Sequence, residues 1–140
     1  MKSKPQYLTL ILALTLLFAS FTSVKAVPPL PSSFYGTVLV NGGNIPEGTI
    51  VSAWIDGVQY ASMLSEMFEG DSIYYFEVPG DDPTTTEKIE GGVAGDTIVF
   101  KVDGVEAPQT GTWASGSNVN LDLSLTINEG YYYYLPLIVN

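Results

Sequence analysis

The chain of 140 residues contains no cysteine, no histidine and no arginine. Without histidine it lacks the usual general base and the usual imidazole metal ligand, and without cysteine it lacks thiol nucleophiles and zinc–thiolate sites. No glycine-rich phosphate-binding motif occurs. A pair of carboxylates could in principle serve a glycosidase, but a domain this small offers no deep cleft. The sequence therefore predicts a protein that is not an enzyme and that no disulfide stabilises.

The N-terminal 26 residues have the pattern of a secretory signal peptide. Lys2 and Lys4 precede an uncharged apolar run at 8–19, and a more polar stretch then ends at Ala26, where we expect cleavage. A transmembrane anchor is the alternative, but a spanning helix needs about 20 apolar residues and this run is shorter. The absence of cysteine also excludes a lipid-modified N-terminus. We therefore predict a secreted protein with no membrane span in the mature chain.

The predicted mature chain, from Val27 onward, is strongly acidic. It carries two lysines and all fifteen carboxylates, which gives a formal charge of −13. Phosphate backbones repel such a surface, so nucleic-acid binding is excluded as a function. Over all 140 residues the hydrophobic content is 46%, which is enough for a buried core in one domain of this length.

Short β-branched and aromatic runs separated by turn residues predict an all-β domain. Asp56-Gly57 and Asp103-Gly104 each lie between two such runs, which is the pattern of a tight hairpin with positive φ at both central residues. A loop is predicted at 41–48 and a short helical turn at 63–68. The predicted strands cover residues 34–40, 49–55, 58–62, 72–78, 97–102, 105 onward and 119–127.

The run at 119–127 has the clearest strand pattern, because apolar and polar residues alternate over nine positions. Such alternation means that one face packs on a core and the other faces water. With seven or eight short strands, we predict a single antiparallel β-sandwich over residues 34–127, after a linker at 27–33. Residues 128–140 would form a separate C-terminal tail strand.

The acidic connection at 80–96 is a candidate calcium site. Calcium takes hard oxygen ligands, and five carboxylates lie here, but they lack the spacing of an EF-hand loop and most acidic loops are simply solvated. No other cofactor is implied. The carboxylates are Asp81, Asp82, Glu87, Glu90 and Asp96.

Two tryptophans are candidate carbohydrate-stacking residues. In the run 49–55, Val51 and Ile55 fall on one face and Trp54 falls on the other, together with small polar groups. Trp113 is the second candidate. The alternative for each is packing under a loop or between sheets, as large aromatic residues usually do. Lys101 lies between Phe100 and Val102, so we expect it to face outward as a solvated side chain.

The last ten residues contain no charged side chain, and left free in water they would be an aggregation site. Residues 128–130 suit a hairpin loop, after which the tail would fold back as an edge strand of its own sheet. Alternatively, the tail pairs with another copy or with the cell envelope by strand addition, which we favour. The predicted tail residues are Tyr131, Tyr132, Tyr133, Tyr134, Leu135, Pro136, Leu137, Ile138 and Val139.

The order of motifs GTV, PxGT, AxxDG, VPGDDP, GDTIxFxVDG, TW and LDL over residues 34–124 resembles secreted carboxypeptidase-regulatory-like and prealbumin-like β-sandwich modules of bacterial and archaeal surface proteins. The resemblance implies a non-catalytic extracellular role as a spacer, adhesion or carbohydrate-binding-like unit. The end YYYYLPLIVN is similar to short C-terminal tails of secreted proteins, which suggests retention, but it lacks the Thr-Gly that sortase cleaves.

The leading prediction is a cell-surface structural or adhesion module. A carbohydrate-binding module that uses exposed tryptophan and a subunit that polymerises by strand addition are the alternatives. The expected partner is accordingly a cell-envelope component, a glycan or another copy of the protein.

Overall fold

The computed structural model describes residues 27–85 and 87–128, and in these residues the regular secondary structure consists of strands alone. Turns with glycine, asparagine or aspartate separate most of the strands, as the sequence predicts. The strands are β1 (Ser32–Val40), β2 (Gly43–Asn44), β3 (Ile50–Ile55), β4 (Val58–Leu64), β5 (Glu66–Phe68), β6 (Asp71–Val78), β7 (Thr97–Val102), β8 (Val105–Thr112), β9 (Asn118–Asn120) and β10 (Leu123–Leu125).

The strands form two packed sheets, which confirms the predicted β-sandwich. One sheet has the order β4-β3-β7-β8, and the other has β10-β1-β6-β5, with β2 and β9 also paired to β1. Neighbouring strands are antiparallel except at one place. There, β9 and β10 run parallel to β1 along the side that faces away from β6.

The alternating run at 119–127 is a continuous strand in the prediction but two short strands in the structure. Its apolar face is correct, because Leu123 and Leu125 are buried. The ladder is interrupted at Asp122, whose Oδ1 atom accepts a hydrogen bond from the backbone N–H of Thr37 at 2.8 Å. The preceding carbonyl lies against Gly36, where no Cβ would fit. A side chain thus replaces a backbone partner at the break.

Four hairpins have two-residue loops in which both residues have positive φ. The two predicted ones are confirmed, with φ of 49° and 79° at Asp56-Gly57 and of 48° and 82° at Asp103-Gly104. Asn41-Gly42 forms a third hairpin inside the predicted loop, and Glu69-Gly70 forms a fourth. The predicted helical turn at 63–68 is wrong, since these residues belong mainly to β4 and β5.

The core lies between the sheets and centres on four aromatic rings from both layers. Phe34 of β1 packs edge-on against Phe100 of β7, with ring centroids 5.3 Å apart. Tyr74 and Phe76 of β6 pack around the same Phe100 ring at 6.3 Å and 6.0 Å. Val51, Ala53 and Ile55 of β3 are buried beneath them, as the sequence pattern predicts.

Candidate functional site

Trp113 is buried inside the domain, where only 2% of its surface is exposed. Its indole N–H donates a hydrogen bond to the carbonyl of Val78 at 3.1 Å. The ring lies against Gly80 and Gly92, and a Cβ atom at either glycine would collide with it. This placement corrects the hypothesis of an exposed stacking residue, because no sugar reaches a ring that the fold encloses.

Trp113 instead holds the acidic connection against the sandwich. Its backbone N–H donates to the carbonyl of Asp96 at 2.8 Å, and its carbonyl accepts from Gly95 at 3.0 Å. Gly80 and Gly92 form an isolated bridge within the same connection. The long segment between β6 and β7 is therefore tied at both ends to one buried ring.

The candidate calcium ligands do not come together in the structure. Asp81 accepts a hydrogen bond from the backbone N–H of Glu90 at 2.9 Å, and Asp96 accepts one from Val93 at 2.9 Å. Asp82 accepts bonds from the N–H and hydroxyl of Thr84, both at 2.8 Å. Within 27–85 and 87–128, no three carboxylates lie close enough together to hold a metal ion. Glu87, the remaining predicted ligand, therefore belongs to no such group. These acidic side chains order the backbone of their own loop.

Trp54 lies on the outer face of the β4-β3-β7-β8 sheet, as predicted, and is half-buried. Its indole N–H donates to the hydroxyl of Ser52 at 2.9 Å. Lys101 shares this outer face, and its Nζ atom lies 4.2 Å from the centre of the Trp54 ring. Such a cation–π contact on a surface is worth about 0.5–1 kcal/mol. A sugar that stacked on this ring would have to displace the lysine.

The more open aromatic surface lies on the other sheet, and its residues are not among the predicted site residues. Tyr35 of β1 and Tyr75 of β6 are directly opposite each other, and 43% and 61% of their surfaces are exposed. Side chains directly opposite in an antiparallel pair share one face. On the side of β1 that faces away from β6, Asn120 of β9 pairs with Tyr35. Glu77 follows two residues after Tyr75 and lies on the same face of the sheet. We call these four residues the tyrosine face.

A signal for the tyrosine face was present in the sequence. In β6, Tyr74 and Phe76 are buried while Tyr75 between them is exposed, so the strand alternates strictly. The side-chain period of two in a strand places Tyr75 outward once Tyr74 and Phe76 are assigned to the core. What the sequence does not show is that Tyr35, forty residues earlier, lies beside it.

Tyr74 connects β6 to the segment between β9 and β10. Its hydroxyl donates a hydrogen bond to the carbonyl of Leu121 at 2.6 Å. Burial raises the pKa of Tyr74 well above its usual range, and the negative charge of Asp122 raises it further. The hydroxyl therefore stays protonated at neutral pH and donates this hydrogen bond.

The edge of β10 faces a shallow groove of ≈ 420 Å³ beside β8, lined by residues that include Pro108 and Thr126. At this edge the side-chain amide of Gln109 bonds both backbone groups of Ser124, accepting from its N–H at 3.2 Å and donating to its carbonyl at 3.3 Å. The amide thus makes the two backbone hydrogen bonds that an added strand would otherwise make with Ser124. Strand addition at this edge would have to displace Gln109.

The predicted tail at 131–139, like the predicted signal peptide at 1–26, lies outside the described residues. In the part of the chain that the structure describes, no helix has the length and apolar character needed to cross a membrane. No protein-family model, curated protein or solved structure matches the chain. The fold defines an all-β sandwich, and the resemblance to carboxypeptidase-regulatory-like modules stays a prediction.

Proposed function

We propose that this protein is a non-catalytic, exported β-sandwich that serves as a structural and adhesive module at the cell surface. One observation carries the proposal: the chain enters the sandwich at one end and leaves it at the other. A module of this kind that is held at its C-terminal end presents its opposite end and its sheet faces outward for contact.

The positions of the two ends follow from hydrogen bonds along β1. At its start, the Ser32 hydroxyl lies 2.6 Å from the hydroxyl of Ser117. At its end, Asn41 bonds to Ile127, the penultimate described residue, at 2.9 Å. The nine residues of β1 between these points span about 30 Å at about 3.3 Å per residue.

A spacer must keep one folded conformation, and this domain has no disulfide to stabilise it. Its buried polar groups contribute to that stability. In the described residues, every buried side-chain nitrogen or oxygen atom has a hydrogen-bond partner. Buried polar groups without partners would cost about 1–3 kcal/mol each, so their pairing stabilises one conformation. Four tight hairpins keep the connections between strands short.

Surface labelling of intact cells tests the location. The native chain has no cysteine, so a Ser62→Cys variant presents one thiol on the exposed face of β4. We expect a membrane-impermeant maleimide to label it on intact cells. The matched control is Ala53→Cys, whose position is buried and should react only in denaturant. Labelling of Ser62→Cys only after cell disruption would refute a surface location.

The tyrosine face favours a carbohydrate ligand as the adhesive contact. Paired aromatic rings offer flat surfaces for sugar rings, and the neighbouring Asn120 and Glu77 supply donors and acceptors for hydroxyl groups. The strong negative charge of the predicted mature chain repels anionic polymers. We therefore propose a neutral glycan as the occupant of this face, in place of a sugar stacked on Trp54.

Glycan arrays followed by calorimetry test this assignment. Truncating a central aromatic contact costs about 2 kcal/mol, so Tyr75→Ala should weaken Kd roughly thirtyfold, and Tyr35→Ala should act in the same direction. The matched control is Trp54→Ala on the opposite sheet, which should leave Kd unchanged. Loss of binding in Trp54→Ala but not in the tyrosine variants would return the site to Trp54.

We further propose that the C-terminal tail serves retention or assembly. The support is that the described residues alone already supply both faces of a packed core. We therefore assign the tail to contacts outside that core. Self-polymerisation by strand addition would need an open edge, and Gln109 occupies the edge of β10.

A further inference from the structure

The first and last strands of the described domain lie side by side and run in the same direction. β1 pairs in parallel with β9, where Tyr35 is opposite Asn120, and with β10, where Val38 is opposite Leu123. We call this contact the β1–β9/β10 seam. The chain enters at the start of β1 and leaves beyond β10, at opposite ends of the seam.

Backbone hydrogen bonds join the two segments at both ends of the seam and near its middle. Ser33 donates to the carbonyl of Ser117, Leu121 donates to Tyr35, and Asn41 donates to Leu125, each at 2.8 Å. These bonds lie at the start, the middle and the end of β1. Backbone bonds therefore hold the two segments together on both sides of the interruption between β9 and β10.

Side chains add bonds where the regular ladder ends or breaks. Asp122 accepts from the Thr37 N–H at the break, and the Asn41 amide bonds both backbone groups of Ile127, at 2.9 Å and 3.2 Å. The Tyr74 hydroxyl reaches Leu121 from the neighbouring strand β6. The seam thus has more connections than its short ladder alone would supply.

The direction of a load decides how these bonds break. Tension between the two ends of the domain pulls β1 and β9/β10 along their own axes in opposite directions, so the bonds are sheared together. Tension applied at one end of the seam would instead peel the strands apart, one bond after another. A single hydrogen bond contributes only about 1 kcal/mol net, so resistance depends on loading many at once.

We propose that the β1–β9/β10 seam is a mechanical clamp that lets the domain resist tension between its two ends. The inference rests on the proposed function: in a module held through its C-terminal tail and bound to a ligand on the tyrosine face of β1 and β6, the load passes from β1 to β10 and crosses this seam. Forced unfolding is governed by the unfolding rate, and shearing the whole seam is the step that sets that rate.

Single-molecule pulling of the mature chain from two directions tests the clamp. Thiol handles in the Val27→Cys, Asn128→Cys double variant load the seam in shear. Handles in the Val27→Cys, Ser115→Cys double variant load it from one end, since Ser115 lies just before β9. All three positions are exposed. We expect a several-fold higher unfolding force in shear at the same loading rate, and equal or lower force in shear would overturn the proposal.

An Asn41→Gly variant tests the side-chain contribution. Glycine keeps the positive φ of 53° that this turn position has, so the substitution removes the amide while the turn is retained. We expect a lower unfolding force in shear and an unchanged force in the peeling direction. An equal loss in both directions would mean a general loss of stability and would contradict a role in the clamp.

A second pair of variants acts at the break in the ladder. Asp122→Ala removes the acceptor for the Thr37 N–H, whereas Asp122→Asn keeps an oxygen in place. The alanine variant should lower the shear force and the asparagine variant should restore most of it. The clamp and the surface location can fail independently of each other. Pulling experiments on the isolated protein test the clamp, whereas labelling of intact cells tests the location.

Discussion

The hydroxyl of Tyr74 shows at the scale of one residue how a polar group is used inside the sandwich. The ring is almost completely buried among the core aromatics, and its hydroxyl donates to the carbonyl of Leu121. Because burial raises its pKa above the usual value of 10.0, ionisation is harder in the folded protein than in the unfolded chain.

A Tyr74→Phe variant should therefore change how stability depends on alkaline pH. The raised pKa contributes stability that is present below about pH 10 and is lost as pH rises above it, with a limiting slope of about 1.4 kcal/mol per pH unit. Near pH 8 we expect the native protein to be about 1 kcal/mol more stable than the variant, because the variant lacks the hydrogen bond to Leu121. Above pH 10 this difference should shrink and then reverse.

Urea unfolding of both proteins between about pH 8 and pH 11 measures the effect. The other tyrosines titrate in both proteins, so the difference between the two isolates Tyr74. A difference that stays constant across this range would show that Tyr74 ionises equally easily in the folded and unfolded chains.

Trp113 shows why a residue's role is hard to assign from its neighbours in sequence. It follows β8 in a polar, glycine-containing stretch that is typical of a surface loop. Its burial depends on Gly80 and Gly92, which are distant in sequence and leave the space that the ring fills. Local composition does not reveal that complementarity.

At the scale of the elements, the four hairpins differ in how well their turn residues fit. Asn41, Asp56 and Asp103 tolerate a positive φ, since short polar side chains bond locally in this conformation. Glu69 has φ of 51° without that advantage. The hairpin between β5 and β6 therefore retains strain that the other three hairpins avoid.

A Glu69→Asn variant should be more stable than the native protein, by about 0.5–1 kcal/mol, because asparagine adopts this conformation more readily. Thermal and urea unfolding measure the change. The matched control is Asp103→Asn, where a tolerant residue replaces another and stability should change little. Unchanged or lower stability of Glu69→Asn would show that Glu69 makes compensating contacts.

The same elements show what the sequence can predict. Asp-Gly pairs and alternating residues act locally, so the hairpins at 56–57 and 103–104, the buried face of β3 and the all-β class were all predictable. The parallel pairing of β1 with β9 and β10 joins residues 85 apart, and periodicity contains no information about such partners. The tyrosine face was missed for that reason, since it exists only where β1 meets β6.

At the scale of the whole molecule, the described residues alone provide two packed sheets and a hydrophobic core between them. At the far end of β1, the Asn41 amide accepts a hydrogen bond from the backbone N–H of Ile127. We therefore propose a folded module followed by a segment used for retention or assembly.

Deleting residues 131–140 should leave the domain folded, with a midpoint of thermal unfolding within a few degrees of the native value. We expect the truncated protein to be monomeric and released into the medium, as judged by light scattering and cell fractionation. A truncated protein that unfolds would show that the tail is an ordinary strand of the core.

The chain passes through the sandwich from one end to the other, and both the proposed module and its clamp depend on this path. The direct measurement is the distance between spin labels on Leu30→Cys and Asn128→Cys, which flank the domain in a chain with no native cysteine. The length of β1 predicts a separation of about 30 Å or somewhat more. A distance below about 15 Å would place both ends at the same pole and would contradict both the in-line module and its clamp.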